Sequence, residues 1–385
     1  MSEKPTIYLA FVDDWELRGN GGGDPRRIQF RPMRELVRIF NKHGVRGSFN
    51  AEVMQQLTFR KFQDEFPELR ELADEWDASV LETYKQGHDV QLHIHPQWCD
   101  ARYEDGRWRL SSDWNILNHE PEKAFEMMKA GRDYLENLLR PVNPDYRCVS
   151  FRSGAWCIAP SKHILRQLAE LGVTVDISIV GGVRYDTKNV KLDYTVCEES
   201  FLPYYPNMED ARRVSDKPEP IVCVPTNHFY LSRARALPYF GKLAARKVKG
   251  RLQSPAKAEA GGAGQSAASY AEEWADVEAP SGLKRMMKEA LQASRAGKHF
   301  ISDIAQLDYS LLSQMLKSIR ERARRSGLLE VPVVLENHTK DIQDFSDIER
   351  FVQTVAGAQD VRSITLTELA EGLRAGRFHV RTAQS

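Results

Sequence analysis

Four short stretches carry the residue types that metal-assisted hydrolysis needs. In "DVQLHIHPQW" (89–98), Val90, Leu92 and Ile94 alternate with Gln91, His93 and His95. That is a strand pattern, and side chains at i and i+2 share a face. His93 and His95 therefore emerge together, just where Pro96 stops the ladder. In "YLAFVDDWE", Asp13 and Asp14 follow an apolar run. If the chain turns there, both carboxylates reach one place, where one can bind a cation while the other keeps or accepts a proton. Two imidazole nitrogens and one carboxylate oxygen make the three-ligand set of a catalytic zinc site, with a position left open for water.

Two further stretches add to this. "SFRSGAW" (150–156) offers Arg152, a permanently charged planar fork suited to fixing and ionising a carboxylate such as Asp13. "VVLENHTKD" (333–341) ends an almost wholly apolar run in His338, a candidate general acid or base. Each stretch alone also has a plain reading: a surface Asp pair, a histidine packed on Trp98, a loop arginine, a structural histidine. His88 lies on the face opposite His93 by parity and reads as structural.

The elements that must position these residues are short β-branched or aromatic runs separated by helix-like segments. Strands are predicted at 6–12, 46–53, 88–94, 148–151, 173–179, 220–225, 299–304, 331–337 and 362–366. Helices are predicted at 32–44, 121–139, 160–172, 310–327 and 346–357, several opening on Pro or Ser and closing on Gly. Alternation of the two along the chain predicts an α/β fold with a parallel sheet or (β/α) barrel. In such folds, sites are built at the C-terminal edge of the strands, where all four stretches fall.

Residues 233–298 break the rhythm. Their Ala/Gly/Ser-rich portion, 254–269, reads as a flexible loop. The basic segment 233–251 reads either as a solvated helical face or as a contact for an anionic membrane or a lipid-linked substrate. The expected organisation is a first part of the barrel at 1–232, an insertion at 233–298 and the rest of the barrel at 299–385.

The chain has 385 residues with 54 basic and 54 acidic side chains, so its net charge gives no support to a nucleic-acid partner. Five cysteines without CxxC spacing suit free thiols in a reducing compartment. No run approaches the ~18 apolar residues of a membrane span, and the first residues lack the apolar stretch of a signal peptide. The expectation is a cytoplasmic protein.

In this order, the four stretches resemble the motifs of the NodB-homology polysaccharide deacetylases, carbohydrate esterase family 4. The resemblance covers roughly 6–180 and 330–370. "AFVDDWE" resembles the family's Thr-Phe-Asp-Asp-Gly run, with Val12 and Trp15 as departures; it implies Asp13 as catalytic base and Asp14 as metal ligand. "GHDVQLHIHPQW" is similar to the histidine motif and implies His93 and His95 as the other ligands. Here they are two apart rather than four, a spacing that resembles a branch associated with lipopolysaccharide and surface-sugar biosynthesis. "FRSGAW" implies that Arg152 orients Asp13, and "LENH" implies His338 as general acid.

The resemblance further implies a distorted (β/α) barrel of about seven strands. It implies Zn²⁺ or another divalent transition metal as cofactor, and hydrolysis of an N-acetyl or other N-acyl group from an amino sugar. Trp98 and Trp156, inside the motif segments, are candidates to stack on the sugar. A metal-dependent amidohydrolase acting on a non-sugar amide, or a carbohydrate-binding relative without turnover, are the alternatives.

Overall fold

The computed structural model describes residues 4–187, 190–232, 298–342 and 344–384. The insertion expected at 233–298, with its basic segment 233–251, lies outside the described residues except for Lys298. The main sheet contains eight strands: β1 (Thr6–Trp15), β2 (Gly47–Glu52), β3 (Asp89–Ile94), β4 (Ser150–Ser153), β5 (Val175–Asp176), β6 (Val222–Cys223), β7 (Glu330–Asn337) and β8 (Val361–Ser363). Their order is β6-β5-β4-β3-β2-β1-β7, with β8 beside the first half of β1. All of these pairings are parallel.

The sheet curls until its ends meet. Thr226, just past β6, bridges Val334 of β7, and the Asn227 N–H donates to the Val334 carbonyl at 2.8 Å. The result is a distorted (β/α) barrel. Parity along each strand then sorts the core. Leu9, Phe11 and Trp15 face outward to the surrounding helices, together with Val90, Leu92, Ile94, Val331, Val333 and Leu335. Ala10 and Val12 face inward and pack with Val175, Ile177, Val222, Val224 and Val334. Leu366 and Leu369, from the helix Leu366–Arg374, fill the same inner core. That helix is tied to the starts of β2 and β3, where the Leu366 N–H donates to Ser48 Oγ and the Thr367 N–H to Asp89 Oδ2, both at 2.9 Å. One mouth of the barrel is thus plugged with apolar side chains, and the other, at the strand C-termini, is left for polar ones.

Two of the differences between predicted and observed elements bear on the site. β1 runs on through Asp13 and Asp14 to Trp15, held by pairing of Asp13 with Phe49 and Trp15 with Ala51. The segment expected as a strand at 299–304 is Lys298–Ile301, which pairs antiparallel with His228–Leu231; just after it, a single bridge at Asp303 joins the chain to Glu336 of the barrel.

His88 is structural, as its parity suggests. Its Nδ1 accepts the Gly47 N–H at 3.1 Å, so the ring must be neutral, with the Nε2 hydrogen directed at Asn41 Oδ1 at 3.2 Å. Burial, with Arg46 nearby, lowers its pKa to about 4. Because the folded value lies below the unfolded one (~6.5), the unfolded chain takes up the proton first, and stability is lost as pH falls from about 6.5 toward 4. This histidine is expected to account for a loss of about 2 kcal/mol between pH 7 and pH 5. Urea titrations of wild type and His88→Gln at both pH values measure it as the difference between the two pH dependences.

Candidate active site

The inward parity that ends in Val12 on β1 continues to Asp14 and Glu16. On β2 it reaches Asn50 and Glu52, at the end of β3 His93 and, one step beyond it, His95, on β4 Arg152, and at the end of β7 Glu336 and, just beyond it, His338. All of these side chains are buried. Asp14, Glu16, His93, His95, Trp156, His338 and Lys340 line one pocket at the open mouth of the barrel.

The histidines and two glutamates form a compact group. His93 Nδ1 lies 2.8 Å from the Arg152 carbonyl, which can only accept, so that nitrogen carries a hydrogen and Nε2 is the atom the ring turns to the glutamate side. That Nε2 is 3.2 Å from Glu16 Oε2. His95 Nδ1 is 2.8 Å from Glu16 Oε2 and 2.7 Å from Glu52 Oε2. Ligand atoms of Glu16, Glu52, His93 and His95 all lie within 4.8 Å of one another, all buried. Imidazole nitrogen with carboxylate oxygen is a donor set that suits a divalent transition metal. Lys340 Nζ holds Glu16 Oε1 at 2.8 Å. Burial alone would raise the Glu16 pKa, but His95 and Lys340 hold it well below the usual carboxylate range.

A second group, Asp14, Glu336 and His338, adjoins the first. His338 Nε2 is 3.7 Å from Asp14 and 3.8 Å from Glu16, and its Nδ1 is 3.1 Å from Asp303. Burial opposes the charged ring, yet Asp303, Glu336 and Asp14 raise its pKa to about 10, so it carries a proton at neutrality. Arg152, fully buried, donates from Nη1 to Glu336 Oε1 at 2.9 Å and sets Nε 3.8 Å from Asp14 Oδ1. Burial would raise the Asp14 pKa, but Arg152, His93 and His338 outweigh it and keep the group ionised. Asn50 Nδ2 donates to Asp14 Oδ1 at 2.8 Å. With this guanidinium already between its carboxylates, the second group is poorly placed to take a further cation.

Several residues singled out in the sequence sit elsewhere. Asp13 faces away from the pocket, toward the helices, where Asn337 Nδ2 donates to its Oδ1. Burial pushes its pKa well above the usual value. The expected pairing of Arg152 with Asp13 is not formed, since the two side chains lie on opposite faces of the sheet. Trp98 follows the short turn Pro96–Trp98 out of the pocket and packs edge-on against Phe59 and Trp108. Trp156 does line the pocket, though its ring stacks on Tyr185 and its Nε1 donates to Glu336 at 2.7 Å. Ala155 and Trp156 both have left-handed backbones, φ 51° and 57°, which turn the indole inward. Gly154 permits the close approach: a Cβ there would meet the Ile94 carbonyl at 2.7 Å and His95 Cγ at 2.9 Å.

No protein-family profile matches the chain, and no curated protein matches it in sequence. In three dimensions it is similar to a crystal structure from Mycobacterium smegmatis assigned as a polysaccharide deacetylase. The TM-score is 0.50 at 15% identity, over 99% of this chain and 97% of that one. A 4-alpha-glucanotransferase from Thermococcus litoralis aligns with TM-score 0.47 at 10% identity, over 96% of this chain and 40% of its own. A probable polysaccharide deacetylase from Pseudomonas aeruginosa PAO1 aligns with TM-score 0.44 at 11% identity, over 97% and 93% of the two chains. The first of these similarities identifies the fold as that of a NodB-like barrel. Among the described residues no helix is long and apolar enough to cross a membrane.

Proposed function

We propose that this chain is a metal-dependent hydrolase of the NodB-homology polysaccharide deacetylase type, removing an N-acetyl or other N-acyl group from an amino sugar. The observation that carries the reading is the convergence, at the open end of the barrel, of His93, His95 and Glu16 beside an ionised Asp14 and a proton-bearing His338. The resemblance of the motifs, in sequence order, supports the same conclusion. His93 through Nε2, His95 through Nδ1 and Glu16 through Oε2 would hold the ion, Zn²⁺ or another divalent transition metal. A divalent ion bound there supplies Lewis-acid polarisation of the amide carbonyl and lowers the pKa of water.

The chain's own residues do the rest. In the motif alignment Asp13 is the base and Asp14 a ligand. Strand parity makes Asp14 and Glu16 the inward carboxylates of this run, so Asp14 takes the role of base and Glu16 that of ligand. Arg152 and Asn50 fix Asp14 as a carboxylate that can take a proton from the attacking water. Lys340 fixes the remaining oxygen of Glu16. His338, charged by its contact with Asp303, gives a proton to the departing amine, which leaves poorly as an anion. Trp156 closes one side of the pocket and Trp114 is part of its lining. The short His-x-His spacing favours a precursor of a cell-surface polysaccharide or lipopolysaccharide as substrate.

The test is acyl release by the metal-loaded protein from a panel of N-acetylated and N-formylated amino sugars, free and nucleotide- or lipid-linked, with cyclic ureides as comparison. Acetate or formate release from a sugar supports the reading. Turnover of the ureides alone overturns it in favour of a non-sugar amide.

A further inference from the structure

We propose that Glu52 is a fourth protein ligand of the ion, so that the centre is built from two imidazoles and two glutamates; this rests on the metal-binding reading above. The argument lies in how each glutamate spends its two oxygens. Glu16 commits Oε1 to Lys340 and turns Oε2 to His95 Nδ1. Glu52 commits Oε1 to the backbone at the start of the helix Val53–Phe62, accepting the Met54 N–H at 2.9 Å and the Gln55 N–H at 3.4 Å. Its Oε2 is directed to the same ring nitrogen. Each carboxylate is therefore pinned by one oxygen and presents the other, the arrangement that single-oxygen metal ligands adopt.

Both presented oxygens lie within 3 Å of His95 Nδ1, and Glu52 is wholly buried. Two buried carboxylate oxygens converging on one ring nitrogen need a cationic partner there, a place that a proton on Nδ1 fills in the metal-free chain and that a divalent ion would take over on binding. The His95 ring is oriented for this. Its Cδ2–Cγ edge lies against Gly154, where no side chain fits, and its Nδ1 turns to the glutamates. Glu52 also falls on the inward face of β2, in register with His93 of β3. β2 lies between β1 and β3, so Glu52 sits between the strands that carry Glu16 and the histidines, and an ion there would meet donors from three adjacent strands.

A different reading makes Glu52 only a hydrogen-bond acceptor that steadies His95, with the ion on the other ring nitrogen. Two measurements separate them. Zn²⁺ affinity is read by competition with a chromophoric chelator for wild type and Glu52→Gln, a variant that keeps an acceptor for the Met54 N–H. Zn²⁺-loaded wild-type crystals then locate the ion. The proposal expects a loss beyond about 100-fold in Glu52→Gln, larger than the ~10–100-fold typical of a residue that only supports a ligand. It also expects Glu52 Oε2 about 2.0–2.2 Å from the ion. An ion on His95 Nε2 with Glu52 still on Nδ1 overturns the proposal and leaves the proposed function standing. A wild-type protein that takes up no divalent ion overturns both.

Discussion

Replacing Asp14 by asparagine is expected to lower acyl release by about 10²- to 10⁴-fold, the range in which a positioned general base contributes, while the protein keeps its metal. The same replacement at Asp13 is expected to leave turnover within about threefold, far below that range. The contrast follows from parity on β1. Asp14 points into the pocket, is held ionised by Arg152 and accepts a hydrogen bond from Asn50 that an asparagine amide oxygen would still accept. Asp13 points the other way, where burial disfavours its charged form, and the hydrogen bond it accepts from Asn337 is one that an amide oxygen would still accept. Motif alignment alone predicts the reverse order. Steady-state kinetics with metal analysis on both variants decides between them: if Asp13→Asn is the dead variant and Asp14→Asn the active one, the roles assigned along β1 are wrong.

Replacing Arg152 by methionine is expected to destabilise the fold by about 3–5 kcal/mol, the cost of leaving buried charges without their partner. The guanidinium has no exposed surface and sits against Glu336 and Asp14, both on the inward face. Burial raises Glu336 to a pKa of about 7 despite Arg152, so without the arginine this carboxyl would be protonated at neutrality. Asp14, with stronger reason to stay ionised, would then carry most of the loss. Adding Glu336→Gln should therefore recover only a part, and a double-mutant cycle measures how much. Lysine is expected to be a poor substitute because it lacks the planar fork. Urea unfolding of the single and double variants tests this, and a cost under about 1 kcal/mol for Arg152→Met would mean that the pair is not what holds the inner wall together.

The inward placement of part of the candidate site is legible from alternation in single strands. His93 and His95 could be paired because Val90, Leu92 and Ile94 mark the outward face so clearly. The same reasoning stopped too early on β1. Two consecutive aspartates are poor strand formers, so the strand was expected to end at Val12 and the chain to turn. Pairing with β2 and β7 instead carries β1 to Trp15. Extending the alternation from Ala10 and Val12 by two more steps would have picked out Asp14 and Glu16 and set Asp13 aside.

Glu52 and Glu336 were missed for a related reason. In "SFNAE" and "VVLEN" the inward residues are few and sit among apolar neighbours, and nothing within either run says which face is inside until the sheet closes. Asp303 and Lys340 come from connections, where no periodicity exists to place them. The antiparallel pairing of His228–Leu231 with Lys298–Ile301 joins segments far apart in the chain, which local pattern cannot foresee.

The central claim is that the carboxylate and imidazole group at the barrel mouth works by holding a divalent ion. Its most direct test is acyl release from an N-acetylated amino sugar before chelation, after exhaustive chelation and after return of stoichiometric Zn²⁺, with metal content measured at each stage. The result expected is activity that falls with the metal and returns with it in wild type, but does not return in Glu16→Gln or His93→Ala. Acyl release that persists in fully metal-free protein would contradict it.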